Sequence, residues 1–436
     1  MQVVFSYTFV TFHSPHIVLF CKFALMMKRF SQPLKYVTVV LSAVLLVCIV
    51  WRVSLGQLMQ GDGVVSQPLM PEWLVLCAIG GAGCAVGYAL IRRLHLRGAT
   101  FALHTALVCI LSGAVVTYYH GEMGTCTLSQ GQASFGYLTP QQQVSHFPFY
   151  LTLDSAQVVY HTDGKTPKNY IAHITTQDKV TGEVSRGSIE MNQIYRSEGY
   201  RLCLQTLNAA TNTCTLSINH DPWGIGLTYA GYALLALSMI FFFTEKNSRW
   251  HSIYTTYRKA FWLSLAGIAL LAILITYMMS TPKPGEQLPP VLDSPLLGVH
   301  IFTIITAYLL LLGITLLSIV ALCLRGQSER REIRRGALHS LCEMWLTPAV
   351  FLLAIGIFIG AIWANVSWGR YWGWDPKETW ALATLLIYAL PLHRASFPLF
   401  KRDVYFHTYC ILAFASVLMT YFGVNHLLGG LHSYGG

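Results

Sequence analysis

The chain has 436 residues, of which 54% are hydrophobic and only 11% are charged, and its mean hydropathy is +0.49. Because a soluble domain carries about a quarter charged residues, this composition excludes an ordinary soluble protein. The net charge of +10 would suit a nucleic-acid binder, but the cations follow the membrane pattern described below. The eleven cysteines include no C-x-x-C pair, which excludes a zinc site or redox centre of that kind and a c-type cytochrome.

Polar intervals divide the chain into units. Residues 1–26 show no clear hydrophobic pattern, and Met26-Met27-Lys28-Arg29 looks like a second translation start before the first apolar run. We therefore treat 1–26 as a doubtful N-terminal extension. The longest polar interval carries β-type segments such as FPFYLTLDSAQVVYH and YIAHITTQ between turn residues. The predicted units are the extension 1–26, three membrane helices in 27–119, a β-rich domain in 120–222, one helix in 223–243 and a membrane domain in 244–436.

Apolar runs long enough to cross a bilayer recur along the chain. We therefore predict an all-α polytopic membrane protein with about nine transmembrane helices and an inserted β-rich domain. The predicted spans are 37–52, 73–91, 101–119, 223–243, 260–280, 301–324, 345–364, 380–396 and 404–423.

Lysine and arginine predict the orientation of these spans, because short cytoplasmic loops are enriched in both residues. With nine spans, 18 of the 29 cations fall on one side. This predicts a bacterial cytoplasmic membrane protein whose β-rich domain, 281–299 loop, Trp-rich segment and C-terminus face the periplasm. The basic excess then reflects topology, and no nucleic-acid partner is expected. The 18 cations are Lys28, Arg29, Lys35, Arg92, Arg93, Arg97, Lys246, Arg249, Arg258, Lys259, Arg325, Arg330, Arg331, Arg334, Arg335, Arg394, Lys401 and Arg402.

Three cysteines lie in the predicted β-rich domain. Cys203 and Cys214 are candidates for a disulfide in an oxidising compartment. We favour a structural bridge over a catalytic pair, and Cys126 is then left over.

Two histidines within spans are predicted to lie at the same depth, and we call them the inner pair. His104 is fifteen residues from Tyr119 at the outer end of its span, about 22 Å along a helix. His393 is thirteen residues from Trp380 at the outer end of its own span, about 20 Å by the same measure. Two imidazoles at one level can hold a metal from opposite sides. His407 is a competitor that we interpret as an interfacial residue.

A second pair of histidines is predicted at the outer surface. His300 opens its span, and His432 follows the last one. His120 and His426 are near the same surface and rank below them. Two pairs of imidazoles at two levels indicate one planar, metal-bearing ligand that moves between two sites, and haem fits this description.

The Trp-rich segment (residues 363–380) contains WGRYWGWDPKETW between these outer histidines. Its indoles offer flat apolar area for a porphyrin, and Arg370 and Lys377 would neutralise carboxylates. Asp375 or Glu378 would cap the next helix. The alternative is a membrane-interface aromatic belt, which does not account for so many interleaved charges. The candidate haem-contact residues are Trp363, Trp368, Arg370, Trp372, Trp374, Asp375, Lys377 and Trp380.

These motifs resemble a known family. WGRYWGWDPKETW is similar to the signature of the haem-handling WWD proteins of cytochrome c maturation. SPLLGVH, YALPLHRA and MTYFGVNHLLGGLHSYGG resemble the CcsA (ResC) branch over about 250–436. FPFYLTLDSAQVVYH, SRGSIEMNQ and LSINHDPWGIGLTYAGYALL resemble its partner CcsB (ResB) over about 37–243. The chain thus resembles a fusion of both, a system II cytochrome c synthase, with a β-rich domain shorter than expected for CcsB.

The resemblance implies a function and a set of site residues. His104 and His393 match histidines that hold haem b arriving from inside, and His300 and His432 match those that hold it beneath the Trp-rich segment during catalysis. The activity implied is that of a cytochrome c synthase, or holocytochrome c haem lyase, which joins haem through thioethers to C-x-x-C-H of apocytochrome c. Implied partners are apocytochrome c, haem, thiol-reducing thioredoxin-like proteins and membrane lipid.

Three alternative functions remain open at this point. One is a haem exporter that hands haem to a separate ligase and forms no covalent product. Another is an electron-transfer module with two permanently bound haems. A scaffold without a cofactor would purify colourless.

Overall fold

The computed structural model describes most of the chain after residue 97. The extension 1–26, the predicted span 73–91, most of span 37–52 and His432 lie outside the described residues. The described residues are 47, 48, 50, 54, 98–281, 290–324, 328–395 and 397–428.

Six described helices are long and apolar enough to cross a membrane, which fits the predicted multi-pass membrane protein. The predicted span 380–396 differs, because its helix has 14 residues and continues as a 3-10 turn at Leu390–His393. Pro391 lies in that turn and has no backbone N–H for a further α-helical bond. The total of nine spans stays a prediction. The helices are α1 (Gly98–His120), α2 (Gly224–Thr244), α3 (Arg249–Ser280), α4 (Pro295–Cys323), α5 (Glu329–Trp368), α6 (Pro376–Ala389) and α7 (Asp403–Leu418), which continues as a π-helix over Met419–Leu428.

Helices α1 and α2 pack closely through small residues. A Cβ atom at Gly231 would lie 2.6 Å from Cγ1 of Ile110 and 2.9 Å from its backbone nitrogen. Such close approach of two backbones is typical of membrane helices that meet at glycine. The contact fixes the position of α1, which carries His104, against α2.

The β-rich domain is confirmed as one eight-stranded antiparallel sheet in the order β5-β4-β3-β2-β1-β8-β7-β6. Alternate residues of its strands point to one apolar core that includes Leu151, Ile174, Leu202 and Leu216. The segments FPFYLTLDSAQVVYH and YIAHITTQ lie in β3 and β4, apart from His161, which follows β3. The strands are β1 (Glu122–Ser129), β2 (Ala133–Leu138), β3 (Val144–Tyr160), β4 (Pro167–Asp178), β5 (Val184–Glu190), β6 (Tyr195–Ser197), β7 (Tyr200–Asn208) and β8 (Thr213–His220).

The predicted disulfide between Cys203 and Cys214 is wrong, since both are free thiols. The strand register explains this, because Cys203 is opposite Ser217 whereas Cys214 is opposite Leu207. Cys214 and Cys126 belong to the sheet core, while Cys203 points the other way, toward Gly369. Burial raises the pKa of Cys203 and of Cys214 to about 12, and it also raises the pKa of Cys126. All three are therefore neutral structural thiols at physiological pH.

Candidate functional site

The structure brings His104 and His393 together. Their ring centroids are 6.1 Å apart and the ring planes are perpendicular. His104 lies on α1, whereas His393 ends the 3-10 turn after α6. The two residues thus come from opposite sides of the β-rich domain in the sequence and meet only in the folded chain.

A backbone carbonyl fixes the tautomer of each inner imidazole. Nδ1 of His104 is 2.8 Å from the carbonyl oxygen of Thr100, and Nδ1 of His393 is 2.9 Å from that of Ala389. A carbonyl oxygen can only accept a hydrogen bond, so each Nδ1 carries the proton and donates it. The proton-free Nε2 is then the nitrogen of each ring that can bind a metal.

The spacing of the inner pair suits an iron atom between the two rings. Imidazole nitrogens lie about 2 Å from a bound metal, so two axial rings have centroids roughly 6 Å apart. The described residues contain no group of three or more His, Cys, Asp or Glu side chains that could hold a metal ion. Haem iron needs only two protein ligands, since the porphyrin supplies the others, and this makes haem a better match than a bare ion.

His300 is on the second turn of α4 and contacts α5. Its Nδ1 is 2.8 Å from the carbonyl oxygen of Gly356, so this nitrogen also donates and Nε2 is again the nitrogen that can bind a metal. A Cβ atom at Gly360 would lie 2.7 Å from Cε1 of His300. Glycine at 360 is therefore what allows the ring to lie against α5. The proposed partner His432 is outside the described residues, so the outer pair stays a prediction.

The tryptophans of the Trp-rich segment form two ring pairs. Trp363 and Trp368 have centroids 4.9 Å apart, and Trp372 and Trp374 have centroids 5.7 Å apart at nearly a right angle. Trp374 has a left-handed backbone with φ of +56°, which is uncommon for a bulky residue. The indole nitrogen of Trp380 donates to Oγ of Ser54 at 3.4 Å.

The predicted contact residue Asp375 and the neighbouring Glu378 hold the start of α6. Asp375 accepts a hydrogen bond from the backbone N–H of Lys377 at 3.1 Å, and Glu378 accepts from those of Gly373 and Asp375. Together they form a capping box, as the sequence predicted for one of them.

The two predicted cations of the Trp-rich segment have different surroundings. Nζ of Lys377 donates to Oδ1 of Asn425 at 2.9 Å, which joins the start of α6 to the end of α7. Burial lowers the pKa of Arg370, and the nearby carboxylates of Glu378 and Asp375 partly oppose that effect. Arg370 therefore stays a guanidinium cation at physiological pH.

The sheet docks on the Trp-rich segment through side chains that the sequence analysis did not identify. Nη1 of Arg201 donates to Oδ1 of Asn365 at 2.7 Å. The hydroxyl of Tyr371 donates to Oγ1 of Thr117 at 2.8 Å, and Thr117 donates to Asp221 at 2.6 Å. An Asn in the apolar helix α5 was the one signal in the sequence, because a buried amide needs partners.

A charged group next to His393, which we call the Glu343 cluster, joins four elements. It contains Glu343 and His339 on α5, Arg249 on α3, Arg394 after α6 and Asp403 on α7. Glu343 accepts from Arg249 at 2.7 Å and forms an ion pair with Arg394, while His339 lies 3.4 Å from Glu343 and 3.6 Å from Asp403. The chain segment that carries His393 is thereby tied to α5 through its neighbour Arg394.

His407 belongs to this same region and is fully buried. Its Nδ1 lies 3.0 Å from Oγ of Ser318, and its ring centroid is 5.4 Å from that of His339. The residue is therefore an internal packing group between α4, α5 and α7, and its position near the membrane interface stays a prediction.

Known proteins match both parts of this arrangement. Residues 225–432 match the family model described as Cytochrome C assembly protein, and residues 95–221 match the ResB-like family. The cytochrome c biogenesis protein CcsA of Guillardia theta is 32% identical over 214 residues, which cover 42% of this chain and 70% of that protein. This chain belongs to the CcsA family. With its ResB-like part in front, it is a ResB–CcsA fusion of system II cytochrome c biogenesis, and the resemblance stated from the motifs is confirmed.

Two further relatives match shorter stretches. CcsA of Chlamydomonas reinhardtii is 37% identical over 163 residues, which cover 36% of this chain and 46% of that protein. Protein NrfI of Wolinella succinogenes is 52% identical over 97 residues, which cover 22% of this chain and 11% of that protein. The chain thus spans less than half of the length of these two relatives.

The inner pair combines the two parts of the ResB–CcsA fusion. His104 lies in the ResB-like match, whereas His393 lies in the CcsA-type match together with His300, His432 and the Trp-rich segment. The ring contact of His104 with His393 therefore requires both parts to fold against each other.

Proposed function

We propose that this CcsA-family protein is a cytochrome c synthase that receives haem at the inner pair and uses it beneath the Trp-rich segment. The observation that carries the proposal is the approach of His104 and His393, with both rings held as the tautomer that ligates through Nε2. Two ionisable rings inside apolar segments are costly, which supports a functional role over simple packing.

The second site of the proposal is built around His300. His300 and His432 are the two axial ligands there, and the aromatic rings of the Trp-rich segment cover the porphyrin. Arg370 and Lys377 face the haem carboxylates as cations. Support comes from the Nδ1 bond of His300 and from the two indole pairs of the Trp-rich segment.

Haem attachment needs alignment more than acid–base chemistry. Each thiol of the C-x-x-C-H motif adds across one haem vinyl group, with the sulfur bonding to one carbon and the proton ending on the other, so no oxidant is consumed. Well-oriented reactants gain roughly 7–11 kcal/mol over free ones. The histidine of the motif then replaces one outer histidine on the iron.

The same proposal fixes location and partners. The sheet and the Trp-rich segment face the periplasm of a bacterium, where apocytochrome c arrives with thiols kept reduced by thioredoxin-like proteins. The cation asymmetry of the sequence supports this orientation.

Reconstitution tests the proposal directly. The purified full chain is mixed with reduced haem and an apocytochrome c that carries C-x-x-C-H, and covalent haem is measured by the mass of the denatured product. We expect a product heavier by one haem. A haem-loaded chain that yields no covalent product would favour a haem exporter, and two haems that stay permanently bound would favour an electron-transfer module.

A further inference from the structure

The guanidinium of Arg201 is a buried cation with few partners. The residue is only 9% exposed, and the one hydrogen bond of its side chain within the described part of the chain runs from Nη1 to Asn365. Nε has no hydrogen-bond partner there, and no described carboxylate lies within ion-pair distance of it. Burial lowers the pKa of Arg201, but a guanidinium remains charged in proteins.

The carboxylate that acts electrostatically on Arg201, that of Asp221, is already engaged. Asp221 acts on Arg201 only at longer range. Its Oδ2 accepts from the hydroxyl of Thr117 at 2.6 Å and its Oδ1 from the backbone N–H of Gly224 at 2.7 Å. A buried charge without a close counter-ion is strongly unfavourable unless something else compensates it. The donors of Arg201 are therefore available to an acidic group from outside the chain.

Arg201 lies beside the Trp-rich segment although it belongs to the sheet. Its partner Asn365 is between Trp363 and Trp368, and Nδ2 of Asn365 donates to the hydroxyl of Tyr229, which orients the amide oxygen toward Arg201. Two residues further along β7, Cys203 packs against Gly369. The side of β7 that bears Arg201 and Cys203 is thus in contact with the segment that we propose to cover haem.

We propose that Arg201 binds a propionate carboxylate of the haem held beneath the Trp-rich segment. The planar fork of a guanidinium matches the two oxygens of a carboxylate, and such bonds are among the strongest in proteins. Arg370 is the less effective partner, because Asp375 and Glu378 already offset its charge. This inference rests on the proposed function, and it makes the sheet a part of the outer haem site.

Esterified haem separates carboxylate binding from a structural role of Arg201. The full chain carrying His393→Ala, which disables the inner pair, is titrated with haem and with haem dimethyl ester, and Kd is measured by absorption for each. In the His393→Ala chain that keeps Arg201, we expect haem to bind at least ~10-fold more tightly than the ester. In Arg201→Gln this preference should shrink severalfold, because one contact with the carboxylates is lost while Arg370 and Lys377 remain.

Arg196→Gln is the matched control. Arg196 is opposite Arg201 in the β6–β7 register, but it is exposed, so the preference for haem over the ester should persist in that variant. The proposal is overturned if Arg201→Gln keeps the preference, or if it weakens haem and ester equally. Should Arg201→Gln not fold, Arg201→Lys replaces it: a reduced preference supports the proposal, and an unchanged preference contradicts it.

The wild-type chain, titrated in the same way, distinguishes the proposed function from the role of Arg201. A wild-type chain that forms no haem complex contradicts the proposed function itself. A haem complex whose affinity does not depend on the propionates contradicts only the role of Arg201.

Discussion

The inner pair and the outer site, which consists of His300 and the Trp-rich segment, are held in different ways. Each imidazole of the inner pair is bonded to the carbonyl four residues earlier in its own helix or turn. His300 is instead bonded to Gly356 on another helix, and the Trp-rich segment is held by Arg201, Thr117 and Asn425 from three other elements. Local bonds orient the inner rings, whereas long-range bonds orient the outer site.

Because of this difference, the two sites should respond differently to substitutions elsewhere in the protein. The inner rings keep their tautomer whatever happens elsewhere, so the distance between α1 and the end of α6 is what must be maintained. The outer site depends on how the sheet, α4, α5 and α7 sit against each other. Substitutions at contacts between elements should therefore change the orientation of the side chains in the outer site. In the inner pair they should change the distance between the two rings.

The broadest effect is expected from removing an inner ring, because both haem content and the covalent attachment that depends on it should fall. His104→Ala or His393→Ala should lower the haem content of the purified chain at least ~10-fold, since loss of a ligand should cost no less than loss of its supporting bond. Haem per protein is measured by absorption after denaturation. His120→Ala, at the exposed end of α1, is the control and should keep its haem. Unchanged haem content in both inner variants would remove the inner pair as a haem site.

His300→Ala should separate haem binding at the inner pair from covalent attachment at the outer site. Haem remains at the inner pair, while covalent attachment falls about 100-fold or more because the reacting groups lose alignment. Attachment is measured as covalent haem on apocytochrome c, with and without added imidazole as a replacement ligand. His426→Ala serves as control. Attachment at the normal rate in His300→Ala without imidazole would contradict the outer site.

Glu343→Gln tests the ties of the segment that carries His393. Glu343 is 10% exposed and its carboxylate serves Arg249 and Arg394, so the neutral amide should destabilise the protein by about 2–3 kcal/mol. The expected readouts are a lower Tm and reduced haem retention on dilution. Glu329→Gln, at the exposed start of the same helix, should change neither. Normal haem retention with a lowered Tm would limit Glu343 to a role in stability.

The smallest effect is expected from separating α1 and α2. Gly231→Ala places a methyl group 2.6 Å from Ile110, and such overpacking costs about 1–2 kcal/mol. We expect α1 to shift and haem retention at the inner pair to fall modestly, with covalent attachment per bound haem unchanged. Gly226→Ala on the same helix has open space around its Cβ and is the control. Equal behaviour of the two variants would show that the spacing does not depend on this contact.

Much of the fold follows from local sequence patterns. Long apolar runs predicted the helices from α1 to α5 and α7, and alternation within FPFYLTLDSAQVVYH predicted β3. Counting residues from the outer ends predicted one depth for His104 and His393, whose rings lie 6.1 Å apart. These features depend on helix rise and strand periodicity, which the sequence carries directly.

The features that the sequence did not predict depend on contacts between elements. The facing of Cys203 and Cys214 depends on strand register, and the bulge between Leu204 and Thr206 alters that register. The contact of Arg201 with Asn365 joins residues 164 positions apart, with no local pattern to announce it. The short length of α6 reflects Pro391, whose effect on an apolar run the hydropathy pattern does not register.

The backbone of Trp374 sets a limit on how the outer aromatic surface can change. A left-handed conformation costs an ordinary side chain about 1 kcal/mol or more, and glycine, which avoids that cost, has no indole. The bonds of Gly373 and Asp375 to Glu378 adjoin this residue on both sides. The backbone at Trp374 is thus strained, and the carboxylate of Glu378 holds the residues on both sides of it in place, which keeps the indole facing Trp372.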